Sequence, residues 1–308
     1  MPHPLRKNFF IKAIFPFLAF IRGQILYPLI NRNQETKLTT RTKLSHLKAY
    51  ILSKFLTYDE KKVDIFIVGG QKCGTTALHN YIVQHPLIVP SSLKESHYFD
   101  YKRHFENSNS RNDYSNYRAM FPRSLDDNQI MIDSTPSYAW QNDFLKRISS
   151  YNSNPKIIYI LRNPIDRAYS HYNMQYDLKG TLKSFEGALK DEENWNHQNE
   201  GFSRNLSYIN RGFYSEHIKN IWNLFNKENV LILISDDLRS NTNQTIERVF
   251  NFLEIDPIIV SKNVETNKRK YVAPMKKETR NKLIKVFQDE IKNLEEMLEL
   301  DLSHWLKP

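Results

Sequence analysis

Val63-Asp-Ile-Phe-Ile-Val68 runs straight into Gly69-Gly70-Gln71-Lys72-Cys73-Gly74-Thr75-Thr76-Ala77-Leu78, and this stretch decides the fold. Its first six residues are mostly branched or aromatic apolar side chains, which predicts a short strand buried on both faces. Three of the chain's eight glycines fall within positions 69–74 and end that strand in a tight turn. From Thr75 to His85 the apolar Ala77, Leu78, Tyr81 and Ile82 share one helical face, with Pro86 just beyond. Strand, glycine turn and helix in that order make an anion cradle. Glycines let backbone N–H groups approach a ligand closely, and the helix N-terminus adds partial positive charge. An ordinary strand-to-helix turn is the plainer alternative, but a lysine inside the turn and two hydroxyls at the helix start weigh against it.

The pattern repeats outward from this stretch. Gln129–Asp133, Lys156–Leu161 and Val230–Ile234 read as further strands. Helices are predicted from Pro164 to Leu178, Tyr214 to Phe225, Asn243 to Leu253 and Lys276 to Leu298, with Pro164 suited to a first helical turn. Apolar strands alternating with helices predict an α/β fold: a central parallel sheet with helices on both faces and a P-loop-like turn after its first strand. The polar segments 102–118 and 179–207 read as loops, or loops with short helices, able to carry function.

Composition bounds the rest. The chain has 308 residues, 40% hydrophobic and 25% charged, enough for one large globular domain. Its net charge of +10 is concentrated at the start, where residues 1–62 carry twelve Lys and Arg against Glu35, Asp59 and Glu60. The remainder is nearly balanced, so no nucleic-acid partner is expected. The division is therefore a basic, partly apolar arm over 1–62 and a folded domain over 63–308. The apolar run Ala13–Ile21 is too short to cross a bilayer and no small-residue cleavage site follows it. A helix packed on the body or a partner, an in-plane membrane contact and a degenerate signal anchor all stay open for it. With one cysteine, Cys73, the chain can form no internal disulfide and no cysteine-based zinc site. The expectation is a cytoplasmic protein whose arm offers a contact to the inner face of a membrane.

The position of the lysine is informative. A Walker A loop, G-x-x-x-x-G-K-[ST], would put lysine at 75, where this chain has threonine, and its lysine lies earlier, at 72. The segment instead resembles the 5′-phosphosulfate loop of sulfotransferases that use 3′-phosphoadenosine-5′-phosphosulfate (PAPS), whose loop reads Q-K-x-G-T-T-A-L. The resemblance implies that Gln71, Lys72, Cys73, Gly74, Thr75, Thr76 and Ala77 bind the donor, with Lys72 at the bridging oxygen and leaving phosphate.

Further segments match in order. Lys156–Leu161 followed by Arg162-Asn-Pro-Ile-Asp-Arg-Ala-Tyr-Ser170 is similar to the family's 3′-phosphate site, which implies that Arg162 and Ser170 clamp that phosphate. An arginine at a strand's carboxyl end can offer a forked cation there. Lys94-Glu95-Ser-His97-Tyr-Phe-Asp100 resembles the K-E-x-H-F-F-D segment of heparan sulfate sulfotransferases, implying Glu95 as catalytic base with support from His97 and Asp100. An alcohol attacks well only as its proton is removed, so a base beside the donor is what the chemistry needs. Asp133-Ser-Thr-Pro-Ser-Tyr138 is similar to that group's E-x-S-P-x-Y stretch. Lys268, Arg269 and Lys270 stand where its K-G-R loop covers the nucleotide, with Lys268 replacing the glycine.

These resemblances imply sulfuryl transfer from PAPS to a hydroxyl or amine of a polysaccharide or glycolipid, by in-line displacement and without a metal. A kinase-like enzyme using Asp133 to hold Mg²⁺ is the alternative enzyme, and a PAPS- or glycan-binding protein without turnover the alternative outside catalysis. The absent lysine at 75 argues against the first, and a glutamate beside the donor motifs against the second.

Overall fold

A computed structural model describes residues 40–105, 113–179, 183–198, 207–261 and 271–308. In chain order the elements are α1 (Thr40–Phe55), β1 (Ile65–Gly69), α2 (Thr75–Ile82), β2 (Ile88–Pro90), α3 (Ser115–Arg118), β3 (Ile130–Ser134), α4 (Asn142–Tyr151) and β4 (Lys156–Leu161). There follow α5 (Pro164–Lys179), α6 (Phe185–Gln198), α7 (Tyr214–Leu224), β5 (Val230–Ile234), α8 (Ser235–Ser240), α9 (Thr242–Phe252) and α10 (Lys277–Leu298).

The five strands form one all-parallel sheet in the order β2-β3-β1-β4-β5. β1 is central and wholly buried because its side chains are apolar on both faces. Its register sets Ile65 opposite Ile132 of β3 and Lys156 of β4, and shifts between Ile67 and Gly69 where the chain turns away. The edge strand β5 alternates half-buried Val230 and Ile232 with buried Leu231 and Leu233. The chain leaves β1 towards β3 and β2, and leaves β4 towards β5. Right-handed crossovers in opposite directions place their helices on opposite faces.

Four helix predictions end within a residue of the observed elements, whereas α2 stops three residues early, at Ile82 rather than His85. Other elements escaped the sequence reading. β2 is three residues long beside Pro86, too short for periodicity to register. α6 occupies part of the polar segment 179–207, where only loop or short helix was expected, and runs to 14 residues. α1 lies within the segment read as an arm, and it packs on the body through Thr42, His46 and Ala49, buried at helical spacing. Its Ser53 hydroxyl donates to Asn116 Oδ1 of α3 at 2.6 Å. His46 Nε2 lies 2.6 Å from the Ser96 carbonyl, which makes it the donor and leaves Nδ1 to accept from His104 Nε2 at 3.3 Å. The apolar run at 13–21 lies outside the described residues.

Burial brings His46 down to about 4, a shift that the Ser96 carbonyl opposes, His97 reinforces and Asp100 opposes. An unfolded histidine titrates near 6.5. As pH falls from there towards 4, the unfolded chain takes up a proton that folded His46 refuses. The stability contributed by the neutral ring is therefore full above about pH 6.5 and declines below it. Replacing His46 with glutamine removes this titration. Urea unfolding at a series of pH values should show stability depending less steeply on pH, by about 1.4 kcal/mol per unit between pH 6 and 4.5. An unchanged slope would mean that His46 titrates like a solvated residue.

Candidate functional site

Because the connections after β1 and β4 diverge, the carboxyl ends of these two strands open a crevice, the usual ligand position in such sheets. The turn after β1 crosses this crevice. The Gly70 amide donates to the Ile160 carbonyl of β4 at 2.8 Å. A Cβ at Gly70 would lie 2.9 Å from Cys73 Sγ and 3.3 Å from that carbonyl, so no larger residue fits. Gly74 caps α2 with φ 103° and supplies no side-chain bond to the first amides of the helix. Thr75 is buried at that helix start.

Arg162, at the end of β4, reaches across the crevice and donates from Nη1 to the Lys72 carbonyl at 3.2 Å. The Tyr214 hydroxyl donates to the Arg162 carbonyl at 3.0 Å. Arg162 Nε is buried and finds no hydrogen-bond acceptor among the described residues. Further cations gather here. Arg211 donates from Nη1 to Gln71 Oε1 at 2.7 Å, with its guanidinium 4.1 Å from the centre of the Trp140 ring. Arg167 is fully buried on α5 and donates to the Tyr208 carbonyl. Burial pushes His171 well below the usual range, and the charges of Arg167, Arg211 and Lys72 push it further. Glycine turn, uncapped helix start and buried guanidiniums together supply the donors and positive charge that suit a multiply charged anion.

The second part of the site is the segment following β2. Glu95 is accessible, with 44% of its side chain exposed; Lys94 Nζ lies 3.1 Å from its Oε1 and His97 Nε2 3.5 Å from its Oε2. The other His97 nitrogen, Nδ1, lies 2.9 Å from Asp100 Oδ2, and the Ser137 hydroxyl donates to that oxygen at 2.5 Å. Burial raises the Glu95 carboxyl, but the His97 hydrogen bond and the charges of Lys94 and His97 outweigh it and bring it to about 2. The free protein thus presents an ionised carboxylate at neutral pH. The charges of Lys94 and Glu95 also reach His79 of α2, which ties this segment to the helix that begins at Thr75.

Beneath the segment, Asp133 at the end of β3 is fully buried. Its carboxylate accepts hydroxyls from Ser96 at 2.6 Å, Tyr117 at 2.7 Å, Thr135 at 2.8 Å and Tyr138 at 3.1 Å. The Tyr138 oxygen in turn accepts the amide of Tyr98 at 3.1 Å. Asp133 is therefore a structural hub: its oxygens face hydroxyls rather than the crevice, a donor set that suits anchoring and not Mg²⁺. Among the described residues no group of three or more His, Cys, Asp and Glu could hold a metal ion.

The structure thus brings Gln71, Lys72, Thr75 and Arg162 to one crevice and Glu95 and His97 to the neighbouring segment. Ser170 lies buried two turns along α5. Cys73, expected among the donor-binding residues, is turned inward: its amide donates to the Gly70 carbonyl at 3.1 Å, and burial pushes its thiol up. Lys268, Arg269 and Lys270 lie outside the described residues, but Tyr271 directly after them lies within side-chain hydrogen-bond reach of Arg162. Arg211 and Trp140 are site residues that sequence reading missed. Their only signal was nearness to the helix predicted from Tyr214 and to the Asp133–Tyr138 stretch, since an arginine buried against tryptophan leaves no periodicity.

Comparison with known proteins agrees with this geometry. The chain is 29% identical over 212 residues to heparan sulfate glucosamine 3-O-sulfotransferase 3B1 of Homo sapiens, covering 68% of this chain and 51% of that protein. It is 27% identical over 199 residues to bifunctional heparan sulfate N-deacetylase/N-sulfotransferase 4 of Mus musculus, covering 62% of this chain and 22% of that protein. The chain thus spans about half the length, or less, of these relatives. A solved sulfotransferase from Alicyclobacillus acidocaldarius shares the fold, with a TM-score of 0.67 at 23% identity over 80% of this chain and all of that one. The sulfotransferase domain model matches residues 62–299, and with the phosphate-loop crevice and adjoining carboxylate already in place, the chain belongs to the sulfotransferase family.

Proposed function

We propose that the protein transfers a sulfuryl group from PAPS to a hydroxyl or amine of a glycan, either a polysaccharide or a glycolipid. The observation that carries the donor assignment is the contact between Arg162 and the Lys72 carbonyl, which joins the β4 arginine to the phosphate turn. In this reading Lys72 and the α2 amides hold the 5′-phosphosulfate, while Arg162 and Ser170 hold the 3′-phosphate. Lys268, Arg269 and Lys270 cover the nucleotide. PAPS supplies the sulfuryl group together with a leaving phosphate. The Lys72 ammonium and the helix start stabilise charge that grows on that phosphate as the bond to sulfur breaks. A terminal sulfuryl group bears one negative charge rather than two, so these cations meet the electrostatic demand that Mg²⁺ meets in kinases.

Glu95 takes the acceptor proton, with His97 and Asp100 holding its orientation. A carboxyl at about 2 is a weak base, restrained in the free protein by the His97 hydrogen bond first and by Lys94 second. An acceptor whose own anionic groups engage Lys94 would release the second of these restraints. The glycan assignment rests on the relatives, whose names specify heparan sulfate, and on the matching Lys94–Asp100 segment. The arm is proposed to contact an anionic membrane surface. Helix α1 carries no acidic residue and exposes Leu44 and Phe55 beside its lysines. No helix among the described residues is long and apolar enough to cross a membrane.

Isothermal calorimetry should show tighter binding of 3′,5′-bisphosphoadenosine than of 5′-AMP. Arg162→Ala should weaken bisphosphate binding more than tenfold, or about 1.4 kcal/mol. Equal affinities for the two nucleotides would remove the donor assignment. In turnover assays with PAPS and heparan-type glycans, Lys72→Ala should lower both rate and donor affinity. Glu95→Gln should keep donor affinity and lose roughly 10²–10⁴ in kcat. Near wild-type turnover by Glu95→Gln would transfer the role of base to His97. Leu44→Glu with Phe55→Glu should reduce co-sedimentation with phosphatidylserine vesicles, and unchanged binding would exclude α1 from the contact.

A further inference from the structure

Helix α1 lies ahead of the residues matched by the family domain, which begin at 62, yet one of its side chains bonds the segment that carries Glu95. The bond falls on a particular peptide. His97 has φ 53°, a left-handed conformation that a residue with a Cβ adopts at a cost of about 1–2 kcal/mol. What holds it there is the orientation of the peptide joining Ser96 and His97, and both ends of that peptide are bonded. Its carbonyl accepts from His46 Nε2 at 2.6 Å, and its N–H donates to the Thr135 hydroxyl at 3.4 Å. The carbonyl bond is the shorter of the two and lies in a buried environment. The segment is also secured by Asp133 at the Ser96 hydroxyl, by the Tyr138 oxygen at the Tyr98 and Phe99 amides, 3.1 and 3.4 Å away, and by Arg147 Nη1 at the Phe99 carbonyl, 2.7 Å away, but none of these bonds falls on the Ser96 carbonyl.

We propose that helix α1 is a working part of the active site and that His46 is a positioning residue, fixing the Ser96–His97 peptide and through it the Glu95–His97 pair. Without the His46 donor the peptide keeps only the longer bond to Thr135 and can rotate to relieve the left-handed conformation at His97. That rotation carries the imidazole away from Asp100 on one side and Glu95 on the other, the two contacts at 2.9 and 3.5 Å that give the segment its geometry. His104 completes the arrangement: its Nε2–H donates to His46 Nδ1, which commits the remaining hydrogen of His46 to the Ser96 carbonyl. His104 is stacked on Tyr98 at 4.4 Å, so the donor and the segment it holds are packed as one unit. The consequence for function is that sequence outside the shared family domain sets how well the base is aligned, while the nucleotide crevice stays independent of it.

The proposal rests on Glu95 acting as base, and the test separates the two ideas. In the full-length protein, His46→Phe fills the ring volume without a donor, whereas His46→Gln keeps an N–H near the Nε2 position. Three quantities are compared with wild type: bisphosphoadenosine affinity by calorimetry, hydrogen exchange of the amides of residues 97–99, and kcat and KM for PAPS with a glycan on which wild type turns over. His46→Phe should leave nucleotide affinity and KM for PAPS within about twofold. It should speed exchange at 97–99 at least tenfold, leave β1 and β4 amides unchanged, and lower kcat by tenfold or more. His46→Gln should recover most of both losses. Unchanged exchange at 97–99, or a uniform rise across the sheet, would overturn the proposal by showing respectively no coupling or only a general loss of stability. If wild type sulfates no glycan, the functional reading fails, and the exchange of 97–99 still decides the role of His46.

Discussion

The pairing of β1 with β4 is the constraint on which the site depends. Parallel pairing of two strands whose connections diverge leaves their carboxyl ends side by side, with the glycine turn lying across them. The glycine turn leaves one strand and Arg162 ends the other, so a backbone bond from Gly70 to Ile160 and a side-chain bond from Arg162 to Lys72 close the same few ångströms from both sides. Neither bond survives a register slip, because a one-residue shift would turn every buried side chain of β1 to the opposite face. Core packing and anion binding are therefore specified by the same hydrogen-bond ladder.

A second demand is the burial of charge. Arg162, Arg167 and Arg211 stand at or near the crevice, and the guanidinium of Arg211 is partly satisfied by the face of Trp140. Concentrated positive charge in a poorly solvated site costs stability until an anion arrives, and the same arrangement makes that anion bind tightly. Asp133 shows the opposite solution. Its carboxylate is buried away from those cations and satisfied by four hydroxyls, so burial raises its pKa while its bonds fix the segment above it. Charge thus serves binding on one side of β1 and rigidity on the other.

Glu95 occupies the border between these regions. It is exposed enough to meet an acceptor, but Lys94 and His97 hold its proton affinity low. The left-handed His97 beside it has the carbonyl before it bonded by His46 of α1 and its amide bonded by Thr135 just past β3, which agrees with the general tendency of strained backbone to collect where geometry matters for chemistry. On the proposed reading, donor binding and alignment of Glu95 have separate supports, so variants that damage one need not damage the other.

Four of the five strands, the parallel sheet and the phosphate turn were legible in the sequence because each depends on local pattern: runs of β-branched residues, clustered glycines and a lysine at a telling offset. Lys72, Glu95 and Arg162 could be singled out for the same reason, since each sits inside a short contiguous motif. β2 was not legible because three residues carry no period, and α6 was not because its sequence is mostly polar. His46, Arg211 and Trp140 were hidden for a different cause. Their roles arise from contacts across fifty or more residues, such as His46 with Ser96 and Arg211 with Gln71, which no local window can contain. Local composition by itself determined which segments could be strand, turn and helix and where an anion could bind. Only tertiary packing decided which distant side chains bond the turn and the Glu95 segment, because those bonds exist only once the sheet has brought their partners together.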